Sequence, residues 1–129
     1  MAALGLAIWA PSLLAGFKSG TYSGTTSQED SAGNPKPLQL SVNKKKTKVS
    51  VVFFELEAPP CGGKGGLQWA GIEGKIKDNG KFKIKDDPYG YIKGRFHGSM
   101  ADGTARYAYK PSGCDSGVIT WASERSRTR

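Results

Sequence analysis

Residues 72–97 alternate apolar and basic side chains over most of their length, and this pattern strongly limits how the chain can fold. A period of two places successive side chains on opposite faces of a β-strand, so each alternating run predicts a strand that is buried on one face. The alternation stops at Asp78-Asn79-Gly80 and again at Asp87-Pro88, where turn-forming residues favour a reversal of the chain. These residues therefore predict three consecutive antiparallel strands with one apolar and one basic face.

The basic face of these strands is the candidate binding surface. The chain carries a net charge of +8 and has a pI near 9.6, a balance that favours acidic partners. Tyr89 and Tyr91 sit at the margin of the basic residues, where their rings could stack on a sugar or a base. His97 is expected to extend the face beside Arg95. The alternative is a solvent face kept charged to prevent aggregation. The predicted binding residues are Lys75, Lys77, Lys81, Lys83, Lys85, Tyr91, Lys93 and Arg95.

The rest of the chain predicts further short strands. Leu38, Leu40 and Val42 alternate with polar residues, and residues 27–37 are predicted to form a loop. Residues 51–54 are apolar on both parities, which favours a strand covered on both faces. Seven or eight short strands separated by turn signals predict an all-β fold, an antiparallel β-sandwich or a small barrel.

Cys61 and Cys114 lie in two glycine-rich loops, each next to a predicted strand. In an exported chain an even pair of cysteines indicates a disulfide, whereas in a cytosolic chain the same pair would be two free thiols. A metal site is not expected, because neither cysteine has a C-x-x-C partner and the chain contains one histidine.

Residues 1–17 are apolar and carry no acidic or basic side chain. This segment is too short for a membrane span, which needs roughly 20 residues, and Pro11 interrupts it. We expect it to be an export signal or its remnant. The alternative is an apolar strand or short helix that packs on its own domain or on a neighbouring copy. Residues 18–124 are then a single all-β domain, and residues 125–129 a basic tail.

No arrangement of polar residues in the sequence predicts catalysis. His97, Ser99 and Asp102 are close in sequence, but triad members are positioned by the fold rather than by adjacency. Glu55 and Glu57 share a strand face without an opposing carboxylate. The Asp86-Asp87 pair lacks the spacing of an EF-hand loop, and Gly62-Gly63-Lys64-Gly65-Gly66 lacks the Ser or Thr of a P-loop. We therefore expect no enzymatic activity and no cofactor.

Two motifs resemble those of small secreted bacterial β domains that form an uncharacterised family. One is Gly20-x-Tyr22-x-Gly24-x-Thr26 near the start. The other, near the end, is Cys114-x-x-Gly117-x-Ile119-Thr120-Trp121. The resemblance covers residues 20–125 and implies export and a paired cysteine, but no established activity and no catalytic residues.

Together these features predict an exported, non-catalytic β domain, secreted or held at the cell surface, that acts as a surface or binding module. Its expected partner is an anionic polysaccharide or another polymer of the cell envelope or matrix. Nucleic acid is disfavoured, because the sequence has no RRM-type or OB-type aromatic signature. The alternative is a structural subunit that assembles through its apolar N-terminal segment into a homo-oligomer or fibre.

Overall fold

The alternating runs form β-strands throughout the computed structural model, which describes residues 16–62 and 66–126. A short 3-10 turn, Lys110–Ser112, interrupts the strands near the end of the chain. The strands are β1 (Gly20–Glu29), β2 (Pro35–Val42), β3 (Lys48–Leu56), β4 (Leu67–Trp69), β5 (Glu73–Lys75), β6 (Lys81–Asp86), β7 (Gly90–His97), β8 (Met100–Tyr109), β9 (Cys114–Asp115) and β10 (Ile119–Arg125).

These strands form one antiparallel sheet in the order β4-β3-β2-β1-β10-β8-β7-β6. The sheet curls into a half-barrel. β5 pairs with β3, and the adjoining Ile76 bridges to Phe82 of β6, so β5 brings the two ends of the sheet together. The predicted all-β antiparallel fold is confirmed, as a single curled sheet rather than two stacked ones.

The concave side of the sheet is filled by aromatic and branched side chains. The ring of Phe96 lies 4.8 Å from that of Tyr22, 5.2 Å from that of Phe82 and 5.9 Å from that of Phe17. Trp121 packs across the inner surface of β7, where a side-chain carbon at Gly94 would lie 2.6 Å from its indole ring. Contacts this close leave the interior to protein side chains.

The motif near the start of the chain has a packing role. Tyr22 is fully buried, and its hydroxyl donates a hydrogen bond to the carbonyl of Lys18 at 2.6 Å. A side chain at Gly24 would collide with the carbonyl oxygen of Ala122, so glycine is needed for β1 and β10 to pair. In the closing motif, Trp121 is buried and donates from its indole N–H to the carbonyl of Thr104 at 3.2 Å.

A bulge in β3 changes which side chains face the core. Val51 pairs with Leu40, but Phe53 pairs with the preceding residue, Gln39, so the register shifts between them. Val49 and Val51 are buried before the shift, and Phe54 and Leu56 after it. Val52 is 45% exposed, so the prediction of a strand covered on both faces was wrong. The continuous apolar run reflects an extra residue that reverses the parity.

The predicted loop at residues 27–37 is also shorter than expected. β1 continues to Glu29, and β2 already begins at Pro35. The register of this pair shifts between Thr25 and Glu29, which accommodates prolines that have no N–H to donate. The remaining turn is held by the Asp30 carboxylate, which accepts backbone hydrogen bonds from Ala32 and Asn34, both at 2.9 Å.

The predicted disulfide between Cys61 and Cys114 is confirmed, with the two Cα atoms 5.6 Å apart. It joins the segment that follows β3 to β9, which pairs with the end of β8. Cys114 is 2% exposed and belongs to the core. The bond therefore ties two distant loops to the same end of the curled sheet.

The ends of the described chain pack on the sheet. Phe17, at the end of the apolar N-terminal segment, is 5% exposed and belongs to the core. Arg125 ends β10, and its Nε donates to the carbonyl of Ser19 at 2.6 Å. The expectations for residues 1–15 and 127–129 lie outside the described residues. Within the described ranges, no helix is long and apolar enough to cross a membrane.

We predict that replacing both cysteines by serine lowers the free energy of unfolding by about 4 kcal/mol, because the bond closes a loop of 53 residues in the unfolded chain. The measurement is urea-induced unfolding of the oxidised protein and of the double variant in the same buffer. Equal transition midpoints would show that the disulfide does not stabilise the fold.

Candidate functional site

The predicted binding residues project from the convex side of β5, β6 and β7. Lys75, Lys77, Lys81, Lys83, Lys85, Lys93 and Arg95 are exposed, and Tyr91 is partly exposed. The side chains between them point into the core: Phe82, Ile84 and Ile92 are at most 5% exposed. We call the eight outward residues, Tyr91 included, the lysine face. The structure brings them together on neighbouring strands, and their role in binding stays a prediction.

Strand register places cations of the lysine face directly opposite one another. Lys81 pairs with Arg95, and Lys83 pairs with Lys93. At the edge of the face, Lys75 is opposite Lys48 of β3. Directly opposite side chains in antiparallel strands have Cβ atoms about 5 Å apart, and like charges at this separation destabilise the sheet.

Tyr91 partly compensates this repulsion. Its ring centroid lies 5.4 Å from Nζ of Lys83 and 5.6 Å from Nζ of Lys93, so both ammonium groups contact one aromatic ring. Attraction between a cation and an aromatic ring at an exposed site contributes about 0.5–1 kcal/mol. The contacts hold the ammonium groups of Lys83 and Lys93 beside the Tyr91 ring.

Carboxylates do not neutralise the lysine face. The described residues form ion pairs between Lys36 and Glu57, Lys48 and Glu73, His97 and Asp102, and Arg106 and Asp115, and none of these pairs includes a residue of the face. Asp102 lies opposite Arg95 on β8, but its carboxylate contacts His97 at 3.1 Å. No ion pair among the residues that the structure describes therefore offsets a charge of the face.

The surface between the strands is grooved. One open groove of about 710 Å³ runs between β5 and β6, with Ile76 and Phe82 at its base and four lysines of the face along it. A second groove of about 420 Å³ crosses β7 toward Asp102 and Thr104 of β8. Lys81 and Phe82 line both, so the two grooves adjoin, and we call the pair the channel.

The candidate acid–base and metal residues are engaged elsewhere. His97 points outward and contacts the Asp102 carboxylate on an exposed strand end, so the structure pairs it with an acidic group instead of placing it with the free cations. Asp86 accepts a hydrogen bond from the Trp69 indole at 2.7 Å, which ties β4 to β6. Glu57 contacts the ammonium of Lys36 at 3.6 Å. Among the residues that the structure describes, no three His, Cys, Asp or Glu side chains converge as metal ligands would.

Arg106 lies opposite Tyr91 on β8, and the sequence did not predict a role for it beside the lysine face. Its guanidinium donates two hydrogen bonds to Asp115, Nε to Oδ1 at 3.0 Å and Nη2 to Oδ2 at 2.6 Å. The Arg106 hydrogen bonds and the Gly117 amide lower the pKa of Asp115 to about 2. Because the Arg106–Asp115 pair is neutral overall, Arg106 adds no net positive charge to the lysine face beside it. No spacing signal in the sequence joins the two residues, since the contact depends on β9 folding back on β8.

Comparison with protein-family models, curated proteins and solved structures finds no match. The resemblance to small secreted bacterial β domains therefore stays a prediction that rests on the two motifs. The function of the lysine face has to be argued from its own geometry and charge.

We predict that Lys81→Gln raises the free energy of unfolding by roughly 0.5 kcal/mol at low ionic strength, because it removes the repulsion with Arg95. The gain should disappear at high salt, where exposed charges are screened. The measurement is urea unfolding at both ionic strengths, with Lys110→Gln as the control, since Lys110 lies outside the sheet. An equal gain in both variants would mean that the effect comes from net charge.

We predict that Asp115→Asn destabilises the protein at neutral pH and has little effect near pH 2. The folded-state pKa of Asp115 is lowered from 3.8 to about 2, so its ionised form contributes stability above pH 3.8 and loses it as the pH falls toward 2. Thermal unfolding of both proteins across this range measures the difference. A difference in midpoint that does not change with pH would exclude a role for the Asp115 charge.

Proposed function

We propose that the protein is an exported, non-catalytic β domain that binds an anionic polymer of the cell envelope or extracellular matrix through the lysine face. The observation that carries this proposal is the two like-charged cross-strand pairs, Lys81 with Arg95 and Lys83 with Lys93, which form no ion pair with any carboxylate that the structure describes. A polyanion laid along β6 and β7 would relieve this repulsion and release its own counterions.

The position of the cations favours a ligand over simple protection from aggregation. Charged side chains protect the exposed edge of a sheet, and β6 is an end strand of the sheet order. β7, however, is paired on both sides, with β6 and with β8. Lys93 and Arg95 therefore do not guard a free edge, and their charge is better explained by binding.

The filled interior supports an outer binding surface. Side chains of every long strand pack into the core inside the curled sheet, whereas the grooves that carry the lysine face lie on its outer side. The channel on the convex side is open along its length, which suits a flexible chain better than a small molecule enclosed on all sides.

Two further observations support the export and the non-catalytic parts of the proposal. The Cys61–Cys114 disulfide is typical of proteins that fold in an oxidising compartment. The carboxylates of Glu57, Asp86 and Asp115 hold structural contacts instead of converging on one cavity.

Assembly through the apolar N-terminal segment remains the second proposal. Phe17 is anchored in the core, and the Gly16 carbonyl accepts a hydrogen bond from the Gly98 amide at 2.5 Å. The segment therefore joins the domain at a firmly packed point. This proposal gains weight if the lysine face fails the test below.

The test is retention of the full chain on a heparin matrix across a salt gradient. We compare it with a variant in which Lys77, Lys81, Lys83 and Lys85 are changed to Gln. Because each phosphate-like contact contributes about one unit to the slope of log affinity against log salt, this variant should lose roughly 3–4 units of slope and elute early.

The control changes Lys18, Lys44, Lys45 and Lys110 to Gln, which removes the same charge outside the lysine face. It should elute close to the unaltered protein. Early elution of both variants to the same extent would show that binding follows net charge alone. Weak retention of the unaltered protein would contradict the proposal directly.

A further inference from the structure

Three tyrosines from two segments, Tyr89 just before β7 and Tyr107 and Tyr109 on β8, meet at one end of the curled sheet. The rings of Tyr89 and Tyr107 stack with centroids 5.8 Å apart and planes inclined by 21°. The ring of Tyr109 lies 5.1 Å from that of Tyr89. Beneath them, Trp69 is 5% exposed and contacts Tyr107 at 5.2 Å. We call Tyr89, Tyr107 and Tyr109 the tyrosine cluster.

The tyrosine cluster adjoins the lysine face. Tyr89 precedes β7 and is two residues from Tyr91, and Gly90 lies opposite Tyr107. Trp69 passes under this point, since a side-chain carbon at Gly90 would be 3.2 Å from its ring. Tyr107 pairs with Gly90 and shares the core-facing side of Ile92, whereas the lysine face points outward. A polymer that follows β7 from Arg95 past Lys93 to Tyr91 therefore has to bend over the end of the strand to reach the cluster.

The cluster has the chemistry of a stacking surface. Each of its rings is partly exposed, and no described residue forms a hydrogen bond with any of the three hydroxyls. Burial, the neighbouring tyrosines and the Asp86 carboxylate raise the pKa of Tyr107, so its phenol stays protonated and can donate. Aromatic rings with free hydroxyls offer an apolar surface edged by hydrogen-bonding groups, as is common where tyrosine binds a ligand.

We propose that the tyrosine cluster is a sugar-binding subsite and that the anionic polymer is therefore an acidic polysaccharide. This inference rests on the proposed function of the lysine face, which would hold the charged groups of the same chain. A pyranose ring presents C–H groups on its faces and hydroxyls around its edge, and the cluster complements both. A polyphosphate supplies charge for the lysines but has no ring to stack.

The experiment compares two polyanions of similar charge, a heparin oligosaccharide and a linear inorganic polyphosphate. Both are titrated calorimetrically into the full chain and into two double variants. Tyr89→Leu with Tyr109→Leu removes the rings but keeps apolar cover over Tyr107. Tyr89→Phe with Tyr109→Phe keeps the rings and removes only the hydroxyls. Both variants retain the whole lysine face.

We expect the leucine variant, which lacks two rings, to bind the oligosaccharide at least roughly tenfold more weakly, the loss expected if one of the two stacks on the sugar, and to bind polyphosphate unchanged. The phenylalanine variant should lose much less. In the unaltered protein, magnetisation transferred from tyrosine ring protons should reach the sugar protons, a measurement that does not depend on the variants folding.

Three results would overturn the inference while leaving the lysine face intact as a polyanion site. They are unchanged oligosaccharide binding by the leucine variant, an equal loss for both polymers, or no transfer from the tyrosine rings. Failure of the unaltered protein to bind either polymer would instead contradict the proposed function.

Discussion

Burial of one face of every long strand inside the curled sheet is the constraint on which the other features depend. The aromatic group around Phe96 packs with the Trp121 indole on the inner side of the strands. Alternate side chains must then point outward, whatever their charge. In β5–β7 those outward positions are almost all basic, so the same packing that forms the core also creates the lysine face.

The sequence predicted the parts of the fold that depend on neighbouring residues. The period of two held in residues 81–97, because β6 and β7 pair in a regular register from Lys81–Arg95 to Asp86–Gly90. The strand predicted from residue 72 is only the short β5, which pairs with β3 instead of with β6. The pattern failed in β3, where the bulge between Val51 and Phe53 reverses the parity. A bulge depends on the partner strand, so a run such as residues 51–54 does not reveal it. The packing of Trp121 against Gly94 in the curled sheet likewise depends on residues far apart in sequence.

In the candidate site, too, features set by neighbouring residues were predictable and features set by strand pairing were not. Each cation of the lysine face was recognisable from its parity, but its partners were not. The opposition of Lys83 to Lys93 and the contact of both with Tyr91 depend on the register of two strands. The tyrosine cluster depends on two segments, the turn before β7 and the end of β8, and the charge of Arg106 is balanced by Asp115. Composition alone would have counted Arg106 with the lysines, although its charge is balanced.

The signs of the outward charges separate a binding surface from a merely soluble one. Solubility is served by a mixture of both signs, and opposite charges across a strand pair also stabilise the sheet. This chain has such pairs at its margins, Lys48 with Glu73 and Arg106 with Asp115. Between them, β6 and β7 keep Lys81 opposite Arg95 and Lys83 opposite Lys93. Charges are therefore paired at the margins of the lysine face and unpaired between them. This is the arrangement expected if an external anion supplies the opposite charge.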